Sequence, residues 1–141
     1  MKYVLVYWSR YDNNKKLMNT LTEKLQEKEG DVQVFKTDEV DPTAMPDADV
    51  YVFSVPTEAF RIQRDMRVFL KKLRGMEGKK YGIINTHGMK RNWLRSMEKM
   101  LSKKKMEKVA AVDFRVGEIG EDQLGLLDGW EDMLDAFADR L

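Results

Sequence analysis

Three short, continuously apolar runs constrain the fold of this chain more than any other feature. They cover residues 3–8, 50–53 and 81–84. Runs of this length, rich in Val, Ile and aromatic residues and followed by polar residues, are typical of strands buried on both faces of a parallel sheet. Between and after these runs, apolar side chains recur at helical spacing over residues 17–25, 62–73, 93–101 and 127–141.

Two further strands are predicted at residues 32–34 and 109–116, where polar side chains such as Gln33 and Asp113 interrupt the apolar pattern. Strands that alternate with helices predict a parallel sheet with helices on both faces. The polar interruptions place these two strands at the edges, as the strand order 2-1-3-4-5 requires. The predicted fold class is therefore α/β, a three-layer α/β/α sandwich around a five-stranded parallel sheet, in one domain over residues 1–141.

Composition excludes several classes of site and location. The chain has no Cys and one His, so it cannot form a disulfide, a thiolate metal site or a multi-His metal centre. Its longest stretch without a charged side chain is nine residues, 81–89, whereas a membrane-spanning helix needs ~20 apolar residues. The N-terminal apolar run is too short for a signal peptide, and a net charge of +1 argues against a chain that coats nucleic acid. We expect a cytoplasmic protein with no membrane partner.

The predicted strand order indicates where a ligand would bind. In open parallel sheets, ligands bind beyond the carboxyl ends of the strands, at the crevice where the strand order reverses. The loops at that crevice are residues 9–14, 54–60 and 86–91. The first loop supplies polar and cationic groups from Ser9, Arg10, Tyr11, Asp12, Asn13, Asn14 and Lys15. Because it leads into a helix with free backbone N–H groups, it favours an anion site; the other interpretation is an ordinary loop in which Asp12 or Asn13 caps the helix.

At these three loops the chain resembles a flavodoxin of the short-chain, FMN-binding type. The first segment, Tyr7-Trp8-Ser9-Arg10-Tyr11-Asp12-Asn13-Asn14-Lys15-Lys16, is similar to the family's phosphate loop. The second, Ser54-Val55-Pro56-Thr57, is similar to a Ser-Pro-Thr segment with one inserted residue, and the third is Thr86-His87-Gly88. The resemblance covers essentially the whole chain and implies a flavodoxin-like fold. It also implies that the first loop holds the FMN phosphate, while the other two loops, with Glu58, Phe60 and Met89, flank the isoalloxazine ring.

The main departure from the family is Asp12, which stands where flavodoxins usually have Gly. Asp tolerates a left-handed backbone better than most residues, so the loop geometry can survive. Its carboxylate would repel a phosphate charge ~4 Å away by ~1 kcal/mol in water and by ~4 kcal/mol at a dielectric of ~20, and Arg10 or Lys15 would offset part of this repulsion.

The sequence predicts two alternative functions. One is an FMN-binding electron-transfer protein or reductase, and the other is a flavodoxin-fold protein that has lost FMN and acts as a protein-interaction module.

The residue that stacks on the flavin ring is not determined by the sequence. Phe60 and His87 are the candidates, with Met89 as an apolar neighbour. Phe60 also fits the start of the core stripe of the next helix, and His87 also fits an ordinary loop residue. The carboxylate of Glu58 beside a reduced flavin would disfavour negative charge on the flavin and so lower the reduction potential of the flavin.

The sequence lacks the motifs of other protein classes that are built on parallel sheets of this kind. A response-regulator receiver domain needs acidic residues where Ser9 and Ser54 stand. A dinucleotide site needs a G-x-G-x-x-G turn, and a serine nucleophile of the hydrolase type needs a G-x-S-x-G elbow; neither motif is present.

The near-neutral net charge hides a strong segregation of charge along the chain. Residues 61–108 hold 16 basic and 4 acidic side chains, whereas residues 109–141 hold 2 basic and 9 acidic ones. In the predicted fold the two middle helices cover one face of the sheet, so the basic segment forms one face. We expect an acidic redox partner to dock on this basic face, at Arg61, Arg64, Arg67, Lys71 and Arg95. The alternatives are a solvated surface of ion pairs and head-to-tail self-association of opposite faces.

Overall fold

The computed structural model describes residues 1–121 and 123–141. Within these residues the strands are β1 (Lys2–Tyr7), β2 (Asp31–Lys36), β3 (Val50–Glu58), β4 (Arg61–Ile62), β5 (Lys80–His87), β6 (Glu107–Gly120) and β7 (Gln123–Leu126). The helices are α1 (Asn13–Glu27), α2 (Arg64–Lys72), α3 (Leu94–Ser102) and α4 (Trp130–Asp139).

The central sheet has the predicted architecture. Five strands run parallel in the order β2-β1-β3-β5-β6, which corresponds to 2-1-3-4-5. The strands that arise from the three apolar runs, β1, β3 and β5, lie in the middle and are buried over most of their length. β2 is largely exposed, as an edge strand should be. The α/β fold class is confirmed.

Two short strands extend the sheet beyond the prediction. β4 pairs antiparallel with the end of β3, and β7 pairs antiparallel with residues 116–120 at the end of β6. Over its predicted span, residues 109–116, the fifth strand forms the edge of the parallel sheet except at Val116, and β7 pairs with it from Val116 onward. No apolar run marks the β6–β7 hairpin because residues 117–125 hold three glycines and four polar residues, with Ile119 and Leu124 as isolated apolar side chains.

The helices form one layer on each face of the sheet. Successive residues of β1 point to opposite faces. Val4 belongs to the core cluster under α2 and α3, and Leu5 belongs to the cluster under α1 and α4. This is the predicted layering, and it places the basic segment on one face. No helix in the described part of the chain is long and apolar enough to cross a membrane.

The last helix starts later than its apolar stripe predicts. α4 begins at Trp130 rather than near Leu127, because Gly129 adopts a left-handed backbone with φ 90° just before it and Leu127 is exposed. The helix then packs closely on β5. A Cβ atom at Gly82 would lie 2.8 Å from the ring of Phe137, so only glycine allows this approach.

Candidate functional site

The three loops at the carboxyl end of the sheet surround a cleft of about 280 Å³. It lies beyond β1 and β3, whose connections lead to helices on opposite faces, as expected at a topological switch point. The predicted residues that line it are Ser9, Arg10, Tyr11, Asn13, Asn14, Pro56, Thr57, Glu58, Thr86, His87 and Gly88. The predicted residues that do not line it are Asp12, Lys15, Ser54, Val55, Phe60 and Met89.

A larger cavity of about 670 Å³ lies elsewhere, between residues 37–43 and α2. Both carboxylates and cations of the surface line it, among them Asp38, Asp41 and Lys72. It includes Arg64 and Asp65 at the start of α2, but no residue of the three loops that follow β1, β3 and β5 lines it. Because ligands of open parallel sheets bind at the switch point, the smaller cleft is the better candidate.

A buried polar network fixes the floor of the cleft. The Asn14 side-chain amide donates to Thr86 Oγ1 at 2.9 Å and accepts from Ser54 Oγ at 2.7 Å, which joins α1 to β3 and β5. All three residues are nearly inaccessible to solvent. Asn85 extends the network, since its amide donates to Thr57 Oγ1 at 3.0 Å. These hydrogen bonds hold the three loops in a defined arrangement, so the cleft is preorganised.

An unused hydroxyl lies in the first loop, which connects β1 to α1. Ser9 Oγ is buried and has no hydrogen-bond partner among the described residues. The first turn of α1 receives no side-chain hydrogen bond from its N-cap residue, Asp12. Because buried polar groups are nearly always paired, these donors are suited to an anionic group of a ligand.

Asp12 adopts the left-handed conformation that glycine usually provides, with φ 63° and ψ 5°. The expectation that Asp can support this geometry is therefore confirmed. The side chain is exposed and lies outside the cleft lining. Because water screens an exposed carboxylate, the weaker limit of ~1 kcal/mol applies to its repulsion of an anion at ~4 Å.

An ion pair crosses the mouth of the cleft. Arg10 Nε lies 2.5 Å from Glu58 Oε2, and a second guanidinium nitrogen of Arg10 lies 3.1 Å from Glu58 Oε1. The hydrogen bond to Glu58 raises the pKa of the Arg10 guanidinium above its usual value. The guanidinium also lies over the Trp8 ring, 5.2 Å from its centroid. Arg10 is thus held at the cleft and remains a cation.

His87 lines the cleft, but both nitrogens of its ring already form hydrogen bonds within the protein. Nδ1 lies 2.5 Å from the carbonyl oxygen of Met89, and Nε2 lies 2.6 Å from Asp113 Oδ2 on β6. The residue is 4% exposed. These contacts fix the loop after β5 and give Asp113 a role in the site that sequence reasoning missed.

The three loops around the cleft carry exposed apolar side chains. Tyr11, Phe60 and Met89 are 64%, 69% and 51% exposed. The interpretation of Phe60 as a core residue is therefore wrong, because it lies in the turn between β3 and β4 with a left-handed φ of 63°. Val116 and Leu124 of the β6–β7 hairpin also line the cleft. Sequence reasoning missed both, because it missed the hairpin.

A family model described as flavodoxin matches residues 5–130. The chain belongs to the flavodoxin family. The predicted membership of this family and the predicted flavodoxin-like fold are thereby confirmed. A search of curated proteins gives no match.

Solved structures share the fold of this flavodoxin. A flavodoxin from Streptococcus pneumoniae TIGR4 matches with a TM-score of 0.82 at 18% identity, over 100% of this chain and 97% of that chain. Oxidised flavodoxin 1 from Bacillus cereus matches with a TM-score of 0.82 at 13% identity, over 99% and 96% of the two chains. Rubredoxin oxygen:oxidoreductase from Desulfovibrio gigas matches with a TM-score of 0.79 at 16% identity, over 99% of this chain but 34% of that one.

Proposed function

We propose that this flavodoxin binds FMN in the cleft and acts as an electron-transfer protein or flavin-dependent reductase. The observation that carries the proposal is Ser9 Oγ, a buried hydroxyl with no partner among the described residues, in the loop that lines the cleft and leads to α1. A phosphate group would supply the missing acceptor and would face the positive end of the helix dipole. The residues present therefore fit FMN.

The residues of the cleft divide into two functional groups. Ser9 and the backbone N–H groups at the start of α1 would hold the phosphate, with Arg10 adding positive charge. Pro56, Thr57 and Gly88, at the ends of β3 and β5, would flank the isoalloxazine ring. When bound, FMN supplies the transfer of one or two electrons, while the protein binds it, orients it and sets the charge around it.

An electron-transfer protein works with a redox partner, and we propose that this partner is acidic. The residues of the predicted docking face are Arg61, Arg64, Arg67, Lys71 and Arg95. They lie on β4, α2 and α3, and all are exposed except Arg67, which is half-buried. Within the described part of the chain, none of them forms an ion pair with a carboxylate. A partner with complementary charge would be steered to this face.

One observation favours a second function, a protein-interaction module without FMN. The ion pair between Arg10 and Glu58 spans the cleft and occupies the cation best placed to attract a phosphate. The module would keep the fold and its basic face but would have no need of the cleft.

Titration of FMN fluorescence with purified apoprotein tests the cofactor. We expect saturable quenching with one FMN per chain, and about tenfold weaker binding by Ser9→Ala, which loses a charge-assisted hydrogen bond. Ser102→Ala, an exposed position at the end of α3, is the matched control and should bind FMN as the parent protein does. Absence of FMN binding at micromolar concentration would favour the interaction module.

The stability of the Ser9→Ala variant tests whether the Ser9 hydroxyl serves a ligand or the fold. Because Ser9 Oγ is buried without a partner in the described residues, its removal should not lower the stability of the apoprotein. A loss of stability would show that the hydroxyl serves the fold rather than a ligand.

A further inference from the structure

The basic face contains a groove of about 360 Å³ between α2 and α3. Arg61, Arg67 and Lys71 lie on one wall, and Lys99 and Lys103 lie on the other. No acidic side chain lines it in residues 1–121 and 123–141. We propose that this groove binds an acidic α-helix presented by the redox partner. The proposal rests on the proposed electron-transfer function for the identity of the partner, but not for the chemistry of the groove.

The cations of the groove are free to meet an incoming partner. Among the described residues none of the five forms an ion pair, whereas Lys79 elsewhere on the surface contacts Asp47 at 2.7 Å. Arg67 Nε donates to the carbonyl oxygen of Ile62 at 3.1 Å, which holds the guanidinium at the wall of the groove. Like charges gathered along one groove repel each other, so an anionic occupant is favoured.

The spacing of the cations indicates the shape of that occupant. Arg67 and Lys71 are four residues apart on α2, while Lys99 and Lys103 are four residues apart on α3 and its C-cap. Residues four apart lie on the same side of a helix, about 6 Å apart along its axis. A partner helix with Asp or Glu at every fourth position repeats its charges at this interval. It can therefore pair with both walls when it lies in the groove.

The groove begins beside the proposed FMN cleft. The backbone N–H of Trp93, which lines the groove, donates to Asn85 Oδ1 at 2.9 Å. Asn85 in turn donates to Thr57, which lines the cleft. Thr57 also pairs in β-sheet register with Ile62, a second groove residue. A helix in the groove would thus bring its own protein next to the cleft, which electron transfer between the two proteins requires.

Two other polyanions fit the groove less well. Single-stranded nucleic acids bind basic grooves by stacking bases on aromatic side chains. The aromatic residue that lines this groove, Trp93, is only 9% exposed, and Arg91 already lies over its ring at 5.2 Å. The acidic helix α4 of a second copy has two of its carboxylates paired with lysines of its own α1.

Binding of synthetic peptides to the apoprotein tests the proposal. The first probe is an Ala-rich helical peptide of ~20 residues with Glu at every fourth position, a length at which such helices form in water. The second has the same composition, but its Glu residues are five apart and so are distributed around the helix. We expect the first peptide to bind at least about fivefold more tightly by fluorescence anisotropy.

Charge variants locate the binding site. The double variant Lys71→Gln and Lys99→Gln should weaken binding of the first peptide by about tenfold. The control, Lys36→Gln with Arg140→Gln, changes the net charge equally at exposed positions outside the groove and should bind the peptide as the parent protein does. Thermal denaturation shows whether each variant is folded.

Four results would overturn the proposal. No binding of either peptide, equal binding of both peptides, or an equal loss in the control variant would each show that the groove does not select an acidic helix. Tighter binding of a single-stranded DNA of equal charge, lost in the groove variant, would identify a nucleic-acid site instead. Because the peptides bind to a protein without flavin, failure of this test and failure of FMN binding are distinguishable.

Discussion

Replacement of Asp12 tests how the first loop recognises an anion. Asp12 precedes α1 in a left-handed conformation with φ 63°, which Gly adopts freely and Asn tolerates well. We predict that Asp12→Gly and Asp12→Asn both tighten FMN binding, because both remove the carboxylate. The Asn variant keeps a side chain of the same size, so it isolates the effect of charge from that of the backbone.

The exposure of Asp12 sets the magnitude of this effect. Two unit charges ~4 Å apart in water interact by ~1 kcal/mol, which corresponds to about fivefold in affinity. The larger limit of ~4 kcal/mol belongs to partly buried pairs and does not apply to an exposed side chain. In the apoprotein, relief of backbone strain and loss of a favourable charge at the helix N-terminus oppose each other. The free energy of unfolding should therefore change by less than about 1 kcal/mol.

Fluorescence titrations with FMN and riboflavin at low and high salt provide the assay. Riboflavin has the same ring but no phosphate, so it is the matched control ligand. We expect both variants to bind FMN about fivefold more tightly at low salt and to lose most of this gain at high salt, because salt screens exposed charges. Their affinity for riboflavin should not change.

Two outcomes would refute this reasoning. If Asp12→Gly tightens FMN binding while Asp12→Asn does not, backbone strain rather than charge limits the affinity. If riboflavin binding improves as much as FMN binding, the first loop does not contact the phosphate.

The remaining predictions concern the buried network, the alkaline limit of stability and the ion pair across the cleft. Asn14→Ala leaves two buried hydroxyls without their amide partner, so chemical denaturation should show a loss on the order of 3 kcal/mol. The exposed control Asn19→Ala should lose none, and a loss no larger than the control's would contradict the role of the network. Burial raises the pKa of Tyr81 above its ordinary value of about 10. Above that pH the unfolded chain gives up a proton that the folded chain keeps, so stability falls as pH rises. Tyr81→Phe should flatten this fall in denaturation measured against pH, and an unchanged slope would exclude Tyr81 as its cause. Glu58→Gln should release Arg10 toward the phosphate and tighten FMN binding severalfold, while the stability of the apoprotein changes little, because the pair is partly exposed. Unchanged affinity would show that Arg10 does not reach the ligand.

The apolar runs predicted the core of the fold because burial on both faces leaves a clear pattern in sequence. β1, β3 and β5 lie in the middle of the sheet, and the polar residues that follow each apolar run form the loops around the cleft. Local composition could not predict the β6–β7 hairpin. Its paired segments are short, partly exposed and contain three glycines, so their pairing depends on contacts along the edge of the sheet rather than on an apolar pattern.

The sequence could not predict the orientation of the polar side chains at the site, for a different reason. The position of Asn14 in the first loop predicts that it contacts a ligand. In the structure its side-chain amide instead forms hydrogen bonds with Ser54 and Thr86, which are 40 and 72 residues away in the chain. His87 likewise turns toward Asp113, 26 residues away. Partners this distant are brought together only by the pairing of strands, so local residue types do not reveal them.

The topology also explains how a chain of net charge +1 acquires one strongly basic face. The sheet separates α2 and α3, which carry the basic segment, from α1 and α4 on the other side. On that other side Lys24 contacts Asp135 and Lys28 contacts Asp139, so the acidic helix is partly neutralised within the molecule. The groove between α2 and α3 has no acidic side chain in its described lining. Self-repulsion of its cations lowers the stability of the free protein, and internal ion pairs could have relieved it as they do across the sheet. The acidic partner proposed above would relieve the same repulsion from outside, which would tie the charge of this face to binding rather than to folding.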